Sequence, residues 1–588
     1  MRQLAVVAAL CVWVTVVPGC SSKQRGPPAG PPDVTARIAL LHMDPQLAAL
    51  DENIASISRL AEEAFSKGAN IVIAPELATT GYSITAEQVR SSLGLGMPYA
   101  KLQPLRELAA RHSGYVVVGL AETAEDGALY NAAVTFGPKE FLRVQRKRGM
   151  ADWNSSGDLP FDIIPTEFGD IAMVICSDTY LPDWIRIATL HGVDVMVAPA
   201  NWWGDSGQGR IWRTRSRENG VWMVVTNRWG QEEDTRYTPP YHYDMNDGPS
   251  MVTDPRGQVL LTYEAKDTSP PGGKILYATV KIPAERIGRA GNTTDSVVYR
   301  RPEAYQAIAN DCWQPGAPAS CTADLPPAGK TVVGSLAYVP SPNAGENLDQ
   351  VQARWGTQAV DVLVLPALGI AAEPVSPEAP CWWCQGPWLR WQQLVEERGL
   401  QLLVTTVNEA PKGAAPRESL LLLRPKLPPR LIQPIHGNGT TPGTGRSPEL
   451  IDLPHARVAA VSGWDFMFPE ISTALAKSGV DAVLVSSSLA SERTPERSRW
   501  DVGMLRAAWE VDTNSGFHLA AADSAGHGLL VESGGMYTVQ ALELQGNEPL
   551  KPLPLDSQPV RTRKLNVYRP FDLKALLGTE GSTVQSAP

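Results

Sequence analysis

After its first 20 residues the chain has no run of 18 consecutive apolar residues, and so no segment of the length and hydropathy that a membrane-crossing helix requires. It also lacks an excess of basic charge: 52 Lys and Arg stand against 62 Asp and Glu, a net charge of −10. Nucleic acids and anionic surfaces are held by a basic face, so this balance argues against both as partners. The basic clusters Arg143 to Arg148 and Arg561 to Lys564 are short and are expected to be solvated loop or strand-edge charges. Cysteine is scarce, at 7 of 588 residues, and the pair in Cys381-Trp-Trp-Cys384 has no second Cys/His pair at zinc spacing. No metal site and no cofactor are therefore expected, with a redox or metal half-site at that Cys-x-x-Cys as the alternative. The material of a core is not depleted: 43% hydrophobic and 19% charged residues are the proportions of a folded globular chain.

Three residues in order carry the chemistry. Glu76 lies in Ile71-Val-Ile-Ala-Pro-Glu-Leu-Ala-Thr-Thr-Gly-Tyr82, Lys147 in Arg146-Lys147-Arg148, and Cys176 in Met173-Val-Ile-Cys-Ser-Asp178. Glu76 and Cys176 each follow a short apolar, β-branched run that reads as a buried strand, which puts both at strand ends, where ligands meet sheets. An acid, a cation and a thiol in this order suit amide-bond chemistry. A thiol of ordinary pKa, about 8.5, needs a nearby cation or base to attack a carbonyl. Lys147 is therefore expected to lower it and to bind the oxyanion together with the backbone N–H of Ser177. Glu76 is expected to take the thiol proton, hand it to the leaving nitrogen, and activate the water that cleaves the thioester left on Cys176.

Further segments follow the same order: Val117-Val-Gly-Leu-Ala-Glu122 with Leu129-Tyr-Asn131, then Asp194-Val-Met-Val-Ala-Pro-Ala-Asn-Trp202, Arg215-Ser-Arg-Glu-Asn219, and Gly248-Pro-Ser-Met-Val-Thr-Asp-Pro-Arg-Gly257. With them, roughly residues 36–300 resemble the carbon–nitrogen hydrolase (nitrilase) superfamily. Apolar runs alternating with helical segments read as α/β, and the resemblance sharpens this to a four-layer α-β-β-α sandwich. It also marks Glu122 and Glu218 as recurring positions, Glu218 being read as structural support beside Arg215. Many family members carry a further Glu between the lysine and the cysteine. Here the loop Arg148 to Asp158 has none; Asp152 is the candidate substitute, and a solvated loop Asp the alternative. Cys176-Ser-Asp178 resembles the amidase branch rather than the nitrile hydrolases, which tend to have Trp-Glu after the nucleophile. Candidate substrate contacts are Tyr82, Tyr180, Asn201, Trp202 and Trp203, with core packing as the alternative for the tryptophans. The insertion Gln231 to Asp247, carrying Tyr237, Tyr241 and Tyr243, is the candidate covering loop.

The pattern occurs twice. Gly192-Val-Asp194 recurs as Gly479-Val-Asp481, and Ala172-Met-Val-Ile-Cys-Ser-Asp178 as Ala459-Ala-Val-Ser-Gly-Trp-Asp465, both offset by 287 (481 − 194 and 465 − 178). Gly68 to Pro75 matches Gln358 to Pro366 at an offset of 291 (366 − 75). A repeat of this length means tandem domains and not a solenoid. Across it Glu76 falls on Ala367, Cys176 on Gly463, and the counterpart of the lysine segment, Leu431 to Thr440, contains no lysine. The second domain is expected to be degenerate and non-catalytic. His436 and Ser462 are expected to be a surface His and a core-lining Ser; a Ser/His replacement site is the alternative, but no acid is identified to orient the His.

At the N-terminus Arg2, the apolar stretch Leu4 to Val17 and Val17-Pro-Gly-Cys20 resemble a bacterial lipoprotein signal, in which Cys20 becomes the lipidated first residue. Pro18 is unusual there, so cleavage by an ordinary signal peptidase, or no cleavage, is the alternative. The expected organisation is a signal over 1–20, a tether over 21–34, a catalytic domain over 35–305, a Pro/Gly/Cys linker over 306–330 and the degenerate domain over 331–575. In an oxidising periplasm Cys312–Cys321 and Cys381–Cys384 are expected disulfides. The expectation for the whole is a lipid-anchored envelope amidohydrolase facing the periplasm, touching the membrane through its lipid only. Its substrate is a small amide, and its two domains form an intramolecular pseudo-dimer. The alternatives are an N-acyltransferase using the same thioester and a non-catalytic binding or scaffold protein.

Overall fold

The computed structural model describes residues 33–92, 99–139, 142–149, 153–157, 162–203, 208–264, 273–283, 297, 299–309, 323–436, 443–488, 516–533, 540–546, 548–564 and 573–578. The expected signal, most of the tether, Asp152, Cys312 and Cys321 lie outside the described residues.

In the first half the strands are β1 (Val34–His42), β2 (Ile71–Ile73), β3 (Tyr115–Thr123), β4 (Leu129–Phe136), β5 (Leu142–Arg146), β6 (Ile171–Met173), β7 (Val195–Pro199), β8 (Trp222–Thr226), β9 (Gln231–Asp234), β10 (Tyr241–Asp244), β11 (Ser250–Thr253), β12 (Val259–Tyr263) and β13 (Lys274–Ile282). One sheet runs β13-β1-β2-β3-β4-β5 and a second runs β12-β11-β8-β7-β6. Strands β1, β2, β3 at the centre of the first sheet are parallel, as are β6, β7, β8 of the second, where β6 is the edge. Parallel neighbours need crossover connections, and helices supply them: α1 (Leu50–Ser66), α2 (Ala86–Ser92) and α3 (Gln103–His112) for the first sheet, α4 (Pro182–Leu190) and α5 (Gln208–Asn219) for the second. α1 forms where it does because Ile54, Ile57, Leu60, Ala61, Ala64 and Phe65 recur at helical spacing and are buried, while Asp51 and Glu52 face the positive end of its dipole.

The inner faces of the two sheets share one core, with Ile38, Ile73 and Val117 meeting Met173, Val197 and Val224. α1 and α3 cover the outer face of the first sheet, and Ile185 of α4 and Trp212 of α5 cover the second. The described residues of this half thus form the four α-β-β-α layers that the resemblance implies.

The second half has β14 (Lys330–Ser335), β15 (Val362–Ala367), β16 (Leu402–Glu409), β17 (Arg417–Leu423), β18 (Arg430–Ile432), β19 (Glu449–Asp452), β20 (Arg457–Ser462), β21 (Ala482–Ser487), β22 (His518–Asp523), β23 (His527–Glu532), β24 (Gln540–Gln545) and β25 (Lys551–Asp556). Its sheets run β18-β17-β16-β15-β14-β25 and β19-β20-β21-β22-β23-β24, again with three parallel central strands each. Helices α6 (Ala344–Trp355) and α7 (Gly386–Glu397) pack on one sheet and α8 (Pro469–Lys477) on the other. Single hydrogen bonds recur as well: Asp194 accepts the N–H of Asp170 at 3.0 Å, and Asp481 accepts that of Arg457 at 2.8 Å.

The halves join through α4 and α8. One apolar cluster takes in Ile187 of α4, Tyr305, Ile308, and Phe468, Ile471 and Leu475 of the second half. Residues 306–309, expected to open a loose linker, therefore form a turn of 3-10 helix whose Ile308 is buried. Likewise the helix Leu573–Leu577 runs past the expected boundary at 575, because Leu576 is needed in the same cluster. The expectation of solvated basic clusters is overturned. Arg561 is buried against Asp481, Arg146 is paired with Glu122, and Lys147 is buried, each charge being matched by a carboxylate.

Candidate active site

β2 ends at Ile73, and beyond Ala74 and Pro75 Glu76 turns into a fully buried position. The turn is possible because β3 passes it as Gly119. A Cβ there would lie 2.3 Å from the Pro75 carbonyl oxygen and 2.6 Å from Glu76 Cα. A buried carboxylate survives only if it is paired and hydrogen-bonded. Glu76 Oε1 accepts from Lys147 Nζ at 2.6 Å and from Asn131 Nδ2 at 2.7 Å, and Oε2 accepts from Asn201 N at 2.9 Å. The Asn201 side chain returns to the Glu76 carbonyl at 2.8 Å.

Lys147 follows β5, and its own backbone N–H donates to Asn131 O at 2.7 Å. Glu122 on β3 takes both Nε and Nη2 of Arg146 at 2.8 Å, so it braces the end of β5 one residue before the lysine. On the other side Asp178 accepts the N–H groups of Arg148 and Gly149, at 3.3 and 3.1 Å. Burial opposes the charge on Lys147, but the Glu76 carboxylate outweighs it and holds the ammonium pKa well above its usual value.

Cys176 opens a 3-10 turn, Cys176–Tyr180, with φ of +46°, a left-handed conformation that costs a non-glycine residue energy and is held by its surroundings. Thr179 Oγ1 donates to the Cys176 carbonyl at 2.8 Å, and Arg215 donates to the carbonyls of Thr179 at 3.1 Å and Tyr180 at 2.9 Å. Arg215 is also bonded to Glu218. Burial, and then the Glu76 carboxylate, push the thiol pKa up; Lys147 pulls it down, as expected, but it is outweighed. The net direction favours the protonated thiol.

The remaining candidates divide. Tyr82 packs against Trp203 and Tyr243, with ring centroids 5.5 and 5.2 Å away, and burial holds its pKa well above the usual value, Lys147 opposing this and Glu76 adding to it. Trp202 is buried, stacked on Tyr180 at 5.2 Å and edge-on to Trp212 at 5.4 Å, which is core packing. The insertion forms the β9–β10 hairpin, whose Glu232 accepts the N–H groups of Tyr82 and Ser83 at 2.9 and 2.7 Å. Asn131, Asp178 and Glu232 were not read as site residues. For Asp178 the sequence holds a signal, the Asp465 that stands 287 residues on, which likewise accepts backbone N–H groups, those of Ile435 and His436.

In the second half the matching positions carry Ala367 and Gly463, and no carboxylate, lysine or thiol stands there. His436 is not a surface residue: it is buried, stacked on Phe468, and bonded to Asp465 at 3.0 Å and to the Tyr305 hydroxyl at 2.5 Å. Ser462 Oγ accepts the backbone N–H of Asp465 at 3.1 Å. Cys381 and Cys384 are joined as a disulfide, with Cα atoms 5.2 Å apart.

Residues 37–289 match the family model described as carbon–nitrogen hydrolase. A nitrilase of Pyrococcus abyssi is 29% identical over 274 residues, 46% of this chain and 98% of that protein. An omega-amidase of Mus musculus is 26% identical over 270 residues, 42% of this chain and 89% of that protein. Among solved structures, an amidase from Nesterenkonia sp. is 21% identical with a TM-score of 0.34, covering 42% of this chain and 90% of that one.

Proposed function

We propose that the carbon–nitrogen hydrolase domain at residues 37–289 cleaves a small amide through a thioester on Cys176, releasing ammonia or an amine. The observation that carries this reading is the buried contact of Glu76 with Lys147 at 2.6 Å beside the Cys176 thiol. Because burial and Glu76 favour the protonated thiol, its proton passes to Glu76 as sulfur attacks the carbonyl carbon. That transfer neutralises the partner of Lys147, whose charge is then free to stabilise the oxyanion together with the Ser177 N–H. Collapse expels the nitrogen, which takes the proton from Glu76. Glu76 then draws a proton from water, hydroxide adds to the thioester, and the carboxylic acid leaves as the thiol reforms. The aromatic wall of Tyr82, Trp203 and Tyr243 is assigned to the substrate's carbon skeleton.

An amide library assayed for ammonia or amine release tests this. Cys176→Ala should abolish release, Lys147→Ala should lower it by roughly a thousandfold, and Glu76→Gln should slow alkylation of Cys176 by iodoacetamide. Full hydrolysis by Cys176→Ala would refute the mechanism.

The second half is read as a degenerate copy of the first, supported by its matching strand order and by the bonds of Asp465 and Asp481. The N-terminal sequence supports lipidation at Cys20 and an envelope location. Mass spectrometry of the mature chain checks this: a first residue other than a lipidated Cys20 would overturn it.

A further inference from the structure

α4 and α8 occupy corresponding places 287 residues apart (469 − 182), and both begin with proline. Their contacts are reciprocal. Thr473 of α8 donates to Asp183 of α4 at 2.8 Å, while Glu470 of α8 lies 3.2 Å from Arg186 of α4, so residues 183 and 186 meet the counterparts of 186 and 183. This is the isologous pattern of a two-fold interface, formed here within one chain. The two pairs differ in what they can transmit. Asp183 and Thr473 close the interface, but Arg186 reaches on into the first half.

Arg186 is fully buried and donates through Nη2 to the carbonyl of Glu218 at 3.1 Å. Glu218 holds Arg215, and Arg215 holds the carbonyls of Thr179 and Tyr180 in the turn that begins with Cys176. A buried guanidinium needs a counter-charge. The nearest carboxylate able to give one is Glu470, also fully buried, which is shared with Arg300. Glu218 is already engaged by Arg215.

We propose that Glu470, from the half that carries no catalytic trio, is a positioning residue for the nucleophile: it fixes Arg186, which sets the end of α5 and through Arg215 the strained turn at Cys176. The second half then completes the active site of the first electrostatically, without touching substrate. This rests on Cys176 being the nucleophile.

The test uses the full-length protein with Glu470→Gln, which keeps the shape and removes the charge. Steady-state kinetics and the rate of Cys176 alkylation by iodoacetamide are read in parallel. The expected result is a loss of roughly tenfold or more in kcat and in alkylation rate, with KM within about twofold of wild type. Thr473→Val breaks only the reciprocal contact and should alkylate at the wild-type rate. A folded Glu470→Gln with wild-type kcat and alkylation rate overturns the proposal. Should that variant fail to fold, Arg186→Lys, which cannot span both Glu470 and the Glu218 carbonyl, replaces it, and full kcat in folded Arg186→Lys is equally fatal. If the wild type cleaves no amide, the proposed function fails, whereas the alkylation rates still report on the coupling.

Discussion

Asp178 joins the segments that bear Lys147 and Cys176, sitting two residues after the thiol and accepting the N–H groups that follow Lys147. Burial raises its pKa to about 6, against the opposing pull of Lys147 and of those two N–H groups. Its ionised form is the better acceptor, so the lysine loop is held most firmly above that pH. We expect kcat to fall as pH drops through about 6, and Asp178→Asn to lower the plateau and remove that limb. A kcat–pH profile in which the variant keeps the wild-type limb would count against this. Stability runs the other way. A carboxyl raised from 3.8 to about 6 favours the folded state when protonated, so its contribution is full below 3.8 and is lost as pH rises through 6.

The elements act by closeness of approach. β3 runs past the end of β2 with no side chain at Gly119, and this brings Pro75, Glu76 and the strand bearing Glu122 within one turn of each other. Gly119→Ala would force β2 and β3 apart. The expected cost is about 1–3 kcal/mol of stability, as in overpacked cores, together with loss of activity from a displaced Glu76. Denaturant unfolding beside an activity assay checks both, and an unchanged midpoint would show that β2 can yield. By the same logic the β9–β10 hairpin is more than a cover, because Glu232 ties it to the backbone after Glu76.

For the whole molecule, the contact between halves combines the polar pairs of α4 and α8 with an apolar cluster. Burial raises Asp183 to about 7, with Glu470 adding to this and Thr473, Arg215 and Lys477 opposing it. A raised carboxyl stabilises the fold below its ordinary value of 3.8 and ceases to do so as pH passes about 7. The melting temperature should therefore decline as pH rises from about 4 to about 7, and Asp183→Asn should flatten that decline; an equal slope in both proteins would exclude Asp183 as the cause. Residues 33–325 expressed alone would expose Ile187 and Ile308, which the second half covers. Light scattering should show that fragment aggregated or self-associated, and a stable monomer with unchanged turnover would show that the second half supports nothing.

Much of this organisation is local in origin and so could be read from the chain. Apolar β-branched runs of strand length, the helical spacing in α1, and the order Glu76, Lys147, Cys176 are properties of neighbouring residues, and the sequence matches at an offset of 287 set Cys176 against Gly463. The charge states and supports were not local. Whether Cys176 rests as thiol or thiolate depends on burial between two sheets and on Glu76, a residue 100 positions away (176 − 76). Arg561 and His436 looked like surface residues because the groups that bury them, Asp481, Asp465 and Tyr305, come from other elements. The pairing of Arg186 with Glu470 needed both halves in place. Sequence periodicity records which face of an element is apolar; which carboxylate meets which guanidinium is decided only when folded elements exclude water between them, since only there does a charge require a specific partner.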